Sequence, residues 1–342
     1  MNEITSKIRE IKKQMGKRLL ILGHHYQRQE VLQHADIIGD SLELARQSAA
    51  RQEAEIIIFC GVRFMAETSA ILCNPHQTVY ISHIDAGCPL ANMIEVEEMR
   101  TAWELLQSVS PDWVPVVYVN SSVEVKALCG RLDGYVCTSR NAGRVIKYLL
   151  DNGNKVFFLP DRHLAENTAI DMGILPPEFL VYNKKLSAGG LTKQELKNAR
   201  IVAWSGYCIV HVAFKVEHVE YIRKTMPDAK IVVHPEVPAE VARLCDVRGS
   251  TSQIIEYVRN APPNSTIVIG TEFRLVERLA NEYKGRLVIK ALHQSICANM
   301  SRTTENDLLE VLSGRPEQNK ITVPANIAED ARKPLARMVS IV

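Results

Sequence analysis

The chain has no Cys-x-x-Cys pair, no apolar run long enough to cross a membrane and no extended run of Lys or Arg. A membrane helix needs about 18 or more consecutive apolar residues, so a spanning segment is excluded. The formal net charge is only +2, and nothing resembles a basic arm that follows nucleic-acid phosphates. The first residues also lack the apolar core of a signal peptide. We therefore expect a cytoplasmic protein with neither a membrane nor a nucleic acid as partner.

Short apolar runs without alternating polarity occur along the whole chain, for example at residues 19–22, 116–119, 231–233 and 287–289. They alternate with helical patterns such as residues 41–51 and 191–199. Strands of this kind are buried on both faces, which indicates parallel sheets covered by helices. The sequence therefore predicts an α/β fold whose functional groups gather beyond the carboxyl ends of the strands.

Three cysteines, Cys88, Cys208 and Cys297, each lie near the end of one of three similar stretches. In every stretch an apolar run (residues 56–59, 156–159 and 267–269) precedes a helical segment with an acidic residue. A period of roughly one hundred residues suits a small α/β unit repeated three times. Three thiolates from three units are a candidate ligand set for one metal centre with an open position. The alternative is three unrelated core thiols.

The other five cysteines lie in or beside apolar runs and helical patterns, which predicts buried packing thiols. They are Cys60, Cys73, Cys129, Cys137 and Cys245.

Ionisable side chains follow two of the predicted strands. His24 and Tyr26 have the spacing that places both on one side of a continuing strand, with His25 pointing away. His234 and Glu236 share a side across Pro235, which would put a general-base carboxylate beside an imidazole. The alternative for an isolated histidine is a satisfied structural role.

Hydroxyl side chains precede three helical patterns, at Ser41, at Ser139 and at Ser250 with Thr251. Helix capping is the commonest task of such residues. Because a helix N-terminus also offers free N–H groups and partial positive charge, three of them facing one cavity would hold carboxylates or a phosphate. That arrangement predicts a small, highly anionic substrate.

Six strings in order along the chain resemble the quinolinate synthase family, the A protein of bacterial NAD biosynthesis. They are GHHYQ at 23–27, ADIIGDS at 35–41, FCGVRFMAE at 59–67, VYVNS at 117–121, HPE at 234–236 and GSTS at 249–252. Together they extend over nearly the whole chain.

The resemblance implies three pseudo-threefold-related αβα domains around a central cavity that contains one [4Fe–4S] cluster. The domains would be residues 1–103, 104–196 and 197–342. Cys88, Cys208 and Cys297 match the cluster ligands of the family. The final segment, from about residue 315 with its three prolines, is expected to be an extended tail that packs across a domain boundary.

The family condenses iminoaspartate with dihydroxyacetone phosphate to quinolinate, releasing phosphate and water, and L-aspartate oxidase supplies the imine. Three thiolates leave one iron free to act as a Lewis acid. The resemblance implies acid, base and positioning roles for His24, Tyr26, His234 and Glu236. It implies substrate binding by the following residues: His24, Ser41, Tyr118, Asn120, Ser139, His234, Glu236, Ser250 and Thr251.

Two other classes fit a three-cysteine site. A hydratase of the aconitase type would share the open iron but would need no base for imine chemistry. An iron–sulfur sensor or electron carrier would need a closed site, and the polar clusters at the strand ends argue against that class.

Overall fold

The structure is a computed structural model that describes residues 3–340, with side chains up to residue 338. Three parallel sheets of four or five strands are covered by helices. The predicted α/β fold class is thus confirmed. The central strands are almost entirely buried because nearly every residue in them is apolar: Ile201–Trp204 is buried along its whole length, and in Ile56–Cys60 only Ile56 is half-buried.

The first sheet belongs to the N-terminal third of the chain and has the strand order β2-β1-β3-β4. The elements of this third are α1 Glu3–Met15, β1 Leu19–His24, α2 Gln29–Leu32, β2 Ile37–Gly39, α3 Ser41–Ala50, β3 Ile56–Cys60, α4 Arg63–Leu72, β4 Thr78–Ile81 and α5 Val96–Gln107.

The second sheet has five strands in the order β6-β5-β7-β9-β8. Its part of the chain consists of β5 Trp113–Tyr118, α6 Val123–Arg131, β6 Tyr135–Cys137, α7 Ala142–Asp151, β7 Lys155–Leu159, α8 Arg162–Asp171, β8 Phe179–Tyr182, α9 Lys193–Asn198, β9 Ile201–Trp204 and α10 Val216–Thr225.

The third sheet has the order β11-β10-β12-β13. The remaining elements are β10 Lys230–Val233, α11 Ala239–Ala242, β11 Val247–Arg248, α12 Thr251–Asn260, β12 Thr266–Gly270, α13 Phe273–Glu282, β13 Val288–Ala291, α14 Glu305–Gly314 and α15 Ala325–Ser340.

The three sheets share one plan. In each, the second strand in chain order lies at one edge, the first strand is next to it, and the third follows. The fourth place is taken by β4, β9 or β13, and each of these strands leads into a loop with one of the three predicted ligand cysteines. The strand β8 is an addition at the edge of the second sheet. This common order agrees with a unit repeated three times.

The helix after each cysteine loop packs on the next sheet rather than on its own. α5 contacts α6 of the second sheet, and Val219 and Ile222 of α10 join the core of the third. Leu308 and Leu312 of α14 pack with Leu19 and Ile58 of the first sheet. Because the last of these helices, α14, packs on the first sheet, the three units form a closed ring.

The C-terminal segment differs from its prediction. Instead of an extended tail, Ala325–Ser340 is a helix that contains Pro334 and packs against α6. The close approach needs Gly130, since a Cβ there would lie 2.0 Å from the carbonyl oxygen of Asp330. The helix therefore docks on the second sheet, although it follows the third in the chain.

The domain limits at residues 103 and 196 stay predictions. The strand Ile201–Trp204, beyond the second limit, hydrogen-bonds within the second sheet. Within the described residues, no helix is both long and apolar enough to cross a membrane.

Candidate active site

A cavity of about 90 Å³ lies where the carboxyl ends of strands from all three sheets meet. All the residues predicted for the site line it, except Ser250. They are His24, Tyr26, Ser41, Cys88, Tyr118, Asn120, Ser139, Cys208, His234, Glu236, Thr251 and Cys297. The structure thus brings these residues together beyond the strand ends, where the rule for parallel sheets expects functional groups; that they form the site, and their chemical roles, remain predictions.

The three cysteine loops have the same backbone frame. The first residue of a helix, Arg63, Arg162 or Phe273, donates its N–H to the carbonyl two residues before the cysteine, at 2.8 Å in each loop. A 3₁₀ turn begins three residues after each cysteine, at Ala91, His211 and Met300. The frame brings three thiols from distant parts of the sequence to one cavity.

Buried carboxylates support two of these loops. Asp161 caps α8 and accepts the N–H of Cys208 at 3.2 Å, and Glu272 caps α13 and accepts the N–H of Cys297 at 3.3 Å. Both acids are fully buried. Val62 occupies the equivalent place before α4 and offers Cys88 no such acceptor. The sequence pattern did not reveal these supports.

Burial raises the pKa of all three thiols, that of Cys88 to about 12. In each loop the backbone N–H three residues after the cysteine donates to the sulfur and opposes that rise. N–H donors to sulfur are a usual feature of iron–sulfur sites. Three such thiols facing one cavity therefore fit a cluster with three protein ligands.

One compact group could also hold a single ion, because ligand atoms of Cys208, His211 and Glu236 all lie within 4.8 Å of one another. The three thiols do not form a group that tight within residues 3–338. A single ion needs sulfur ligands about 2.3 Å away. The wider spacing of the thiols favours a larger group over one ion bound by all three.

His24 and His234 carry matching turns. The Nδ1 atom of each ring accepts the backbone N–H two residues later, from Tyr26 at 3.2 Å and from Glu236 at 3.4 Å. The proton of the neutral ring is thereby assigned to Nε2. Burial lowers the pKa of His24 to about 4 and that of His234 to about 3. At neutral pH both rings are uncharged hydrogen-bond donors.

His25 points away from the cavity, as predicted, and its Nδ1 lies 3.0 Å from a guanidinium nitrogen of Arg278.

A chain of hydrogen bonds leads from the buried carboxylate to a phenol. An oxygen of Glu236 accepts a hydrogen bond from Nδ1 of His211 at 2.7 Å. Nε2 of His211 lies 3.0 Å from the hydroxyl of Thr271, and that hydroxyl lies 2.9 Å from the phenol of Tyr26. The hydroxyl of Thr251 is also 2.9 Å from the phenol. A carboxylate, an imidazole and a hydroxyl in this order form a general-base relay.

Sequence reasoning missed His211 and Thr271. Two signals were available: Thr271 follows a predicted strand, and His211 follows Cys208 by three residues.

Glu236 is held from both sides. The phenol of Tyr118 donates to its Oε1 at 2.5 Å, and Asn167 donates to the carbonyls of Pro235 and Val237 at 2.8 Å each. Burial alone would raise the pKa of Glu236, but the nearby imidazoles and the hydrogen bonds from His211 and Tyr118 lower it to about 2. The carboxylate of Glu236 is therefore ionised at neutral pH.

The predicted hydroxyl residues divide into two groups. Ser250 caps α12 by accepting the N–H of Gln253, as the alternative interpretation proposed. Ser41 and Ser139 do not cap, because Asp40 caps α3 and Asn141 stands at the cap position of α7. They line the cavity at helix N-termini instead, as does Thr251 on α12, and three helix N-termini favour a bound anion.

The fold and the cavity together define a class of protein: an α/β enzyme of three linked units, with three thiols and a buried acid–base relay in one cavity. The sequence profile described as quinolinate synthetase A protein matches residues 6–340. The chain belongs to this family.

Curated relatives agree with the profile. Quinolinate synthase from a Geobacillus species is 43% identical over 346 residues, covering 100% of this chain and 94% of that protein. The Corynebacterium glutamicum protein of the same name is 42% identical, with coverage of 100% and 88%. The solved structure of E-1-hydroxy-2-methyl-but-2-enyl-4-diphosphate reductase from Plasmodium falciparum aligns with 92% of this chain and 86% of that one, at a TM-score of only 0.27 and 12% identity.

Proposed function

We propose that this protein is a quinolinate synthase of NAD biosynthesis, which condenses iminoaspartate with dihydroxyacetone phosphate and releases phosphate and water. The membership of the family over the full chain is the observation that carries the proposal. The cavity has the groups that such a reaction requires: donors for anionic oxygens, a proton relay and three thiols. L-Aspartate oxidase would supply the imine.

Cys88, Cys208 and Cys297 would hold one [4Fe–4S] cluster. When bound, the cluster supplies an iron without a protein ligand that acts as a Lewis acid.

The protein's own residues would bind and orient the substrates. The Nε2–H groups of His24 and His234 donate to carboxylate or carbonyl oxygens. The hydroxyls of Ser41, Ser139 and Thr251, with the helix N-termini beside them, bind anionic groups. Ser250 supports Thr251 by capping the same helix. Tyr118 and Asn120 orient the substrate against the Glu236 side of the cavity.

Proton transfer is assigned to the relay. Burial raises the pKa of Tyr26, so the phenol is protonated at neutral pH and can deliver a proton from its Oη. When the phenol accepts a proton from the substrate, its own proton passes through Thr271 to Nε2 of His211, and Glu236 stabilises the imidazolium that forms. The reverse transfer, from His211 through Thr271, reprotonates the phenol after it has donated its proton. Condensation, dehydration and aromatisation all need such transfers.

The test is quinolinate formed per cluster under anaerobic conditions, beside iron content. Glu236→Gln keeps the shape of the carboxylate but not its charge, and should lower turnover by about 10² to 10⁴ with iron retained. His211→Asn should act in the same direction.

The matched control is Glu240→Gln, an exposed carboxylate four residues later, which should retain full turnover. Absence of quinolinate from wild-type protein with an intact cluster would reject the proposed function. Near wild-type turnover in Glu236→Gln would reject the relay.

A further inference from the structure

A second recess opens directly beside the cavity. It has a volume of about 450 Å³, and Asp40 and Leu42 line both spaces. Its walls carry three arginines: Arg46 on α3, Arg140 two residues before α7, and Arg144 in the first turn of α7. We call it the mouth recess. The two spaces are therefore direct neighbours, on either side of Asp40 and Leu42.

The cavity itself has no side chain that carries a permanent positive charge. Within the described part of the chain, neither a lysine nor an arginine lines it. Of its three histidines, His24 and His234 are uncharged at neutral pH, and His211 is paired with the carboxylate of Glu236. The carboxylate of Glu236 adds a negative charge. A phosphate monoester is close to a dianion at neutral pH, and moving it from water into such a space without a cation is costly.

The mouth recess has guanidinium groups free to bind an anion. Among residues 3–338, no carboxylate lies within 4.0 Å of the guanidinium nitrogens of Arg46, Arg140 or Arg144. Arg140 donates one hydrogen bond, to the hydroxyl of Ser252 at 3.2 Å. Elsewhere arginines form ion pairs, for example Arg223 with Asp246 at 2.7 Å.

The acids of the mouth recess do not neutralise it. One oxygen of Asp40 accepts the N–H groups of Leu42 and Glu43, and the other accepts the hydroxyl of Ser252 at 3.0 Å. The three arginines outnumber the two acids, Asp40 and Glu43, so the mouth recess has a net positive charge. The cavity beside it has no net positive charge. The planar fork of arginine matches phosphate oxygens in bidentate geometry.

We propose that the mouth recess is a phosphate subsite: Arg46, Arg140 and Arg144 bind the phosphoryl group of the incoming triose phosphate and the inorganic phosphate that leaves. The identity of the substrate rests on the proposed function, whereas the affinity for phosphate does not. The hydroxyls and helix N-termini inside the cavity are then left for the carboxylates.

The test compares Arg46→Gln/Arg144→Gln with the control Arg243→Gln, an exposed arginine outside both the cavity and the mouth recess. Calorimetric titration of the anaerobically prepared full-length protein with inorganic phosphate should give a Kd at least tenfold higher for the double variant. The control should stay within twofold of wild type. In turnover assays, the KM for dihydroxyacetone phosphate should rise at least tenfold in the double variant, with little change in the KM for iminoaspartate.

Unchanged phosphate affinity in the double variant would overturn the proposal. So would an equal loss of affinity for malonate, a dicarboxylate probe, because the arginines would then act on any anion. The titration needs no catalysis, so the two proposals are tested separately. If the protein binds phosphate through these arginines but forms no quinolinate, the proposed function is wrong and the phosphate subsite is still supported.

Discussion

The loop of Cys88 and the loops of Cys208 and Cys297 share a backbone frame but differ in charge. Asp161 and Glu272 place a buried carboxyl group under the second and third loops. The first loop has Val62 at that position. A fully buried cation, Lys126, lies close enough to this loop for Cys88 to influence its pKa.

Lys126 is held by two contacts. Its ammonium donates to the carbonyl of Ser121 at 2.7 Å and lies 5.3 Å from the centre of the Phe64 ring. Burial lowers its pKa to about 8, although Glu67 and Cys88 act in the opposite direction. The backbone hydrogen bonds that shape the loops are thus repeated in all three, whereas the ionisable groups around each thiol differ.

The largest difference between the loops, in stability and in iron content, should follow from removing a carboxyl group that supports one of them. Asp161→Leu leaves the N–H groups of Cys208 and Leu164 without their acceptor, and a lost cap plus an unsatisfied buried donor cost about 2 to 4 kcal/mol of unfolding free energy. Purified protein should also contain less iron. Val62→Ala removes no hydrogen bond from the first loop and should retain its iron.

Urea unfolding and iron content measure this contrast. Equal iron loss in Asp161→Leu and Val62→Ala would mean that the carboxyl groups do not distinguish the loops.

A pH dependence of stability is expected from the carboxyl group under the third loop. Burial raises the pKa of Glu272 to about 7, even though the N–H groups of Cys297 and Arg274 oppose the shift. A raised carboxyl pKa means that the folded state favours the protonated form. The stabilisation that Glu272 gives the folded state is therefore fully present below about pH 4.5 and is lost as the pH rises through 7.

For protein without its cluster, unfolding free energies at pH 5 and pH 8 should differ through Glu272 by about 2 to 3 kcal/mol. Glu272→Gln should remove that share. If the variant shows the same pH dependence as wild type, the carboxyl group does not titrate in this range.

The smallest effect is expected from removing the charge of Lys126 beside the Cys88 loop. Lys126→Met keeps the volume and removes the charge, so stability should change by less than about 1.5 kcal/mol with iron retained. The midpoint potential of the cluster should become more negative, since a nearby positive charge favours the added electron. Lys147→Met, at an exposed ion pair with Asp151, is the control. A shift of equal size in both variants would contradict a specific influence of Lys126.

The sequence predicted the fold class and the cavity because both depend on local pattern. Buried strands such as Leu19–His24 are continuous apolar runs, and their carboxyl ends must meet at one edge of a parallel sheet. The repeat pattern alone points to Cys88, Cys208 and Cys297, and in the structure the loops of these three cysteines share the same backbone hydrogen bonds.

The parts that the sequence did not predict are contacts between distant residues. Asp161 supports a cysteine 47 residues away, and His211 joins Glu236 to Thr271 over 25 and 60 residues. No periodicity records such pairs. The C-terminal helix was missed because Pro334 is unfavourable inside a helix, and its packing against α6 outweighs that preference.

The most direct measurement of the central claim is anaerobic iron and sulfide content of single cysteine variants. Wild-type protein should contain about four irons per chain, and Cys88→Ala, Cys208→Ala and Cys297→Ala should each abolish the intact cluster. Cys60→Ala, at a fully buried thiol in the first sheet, should retain it. A full cluster in any of the three loop variants, or its loss from Cys60→Ala alone, would contradict the account.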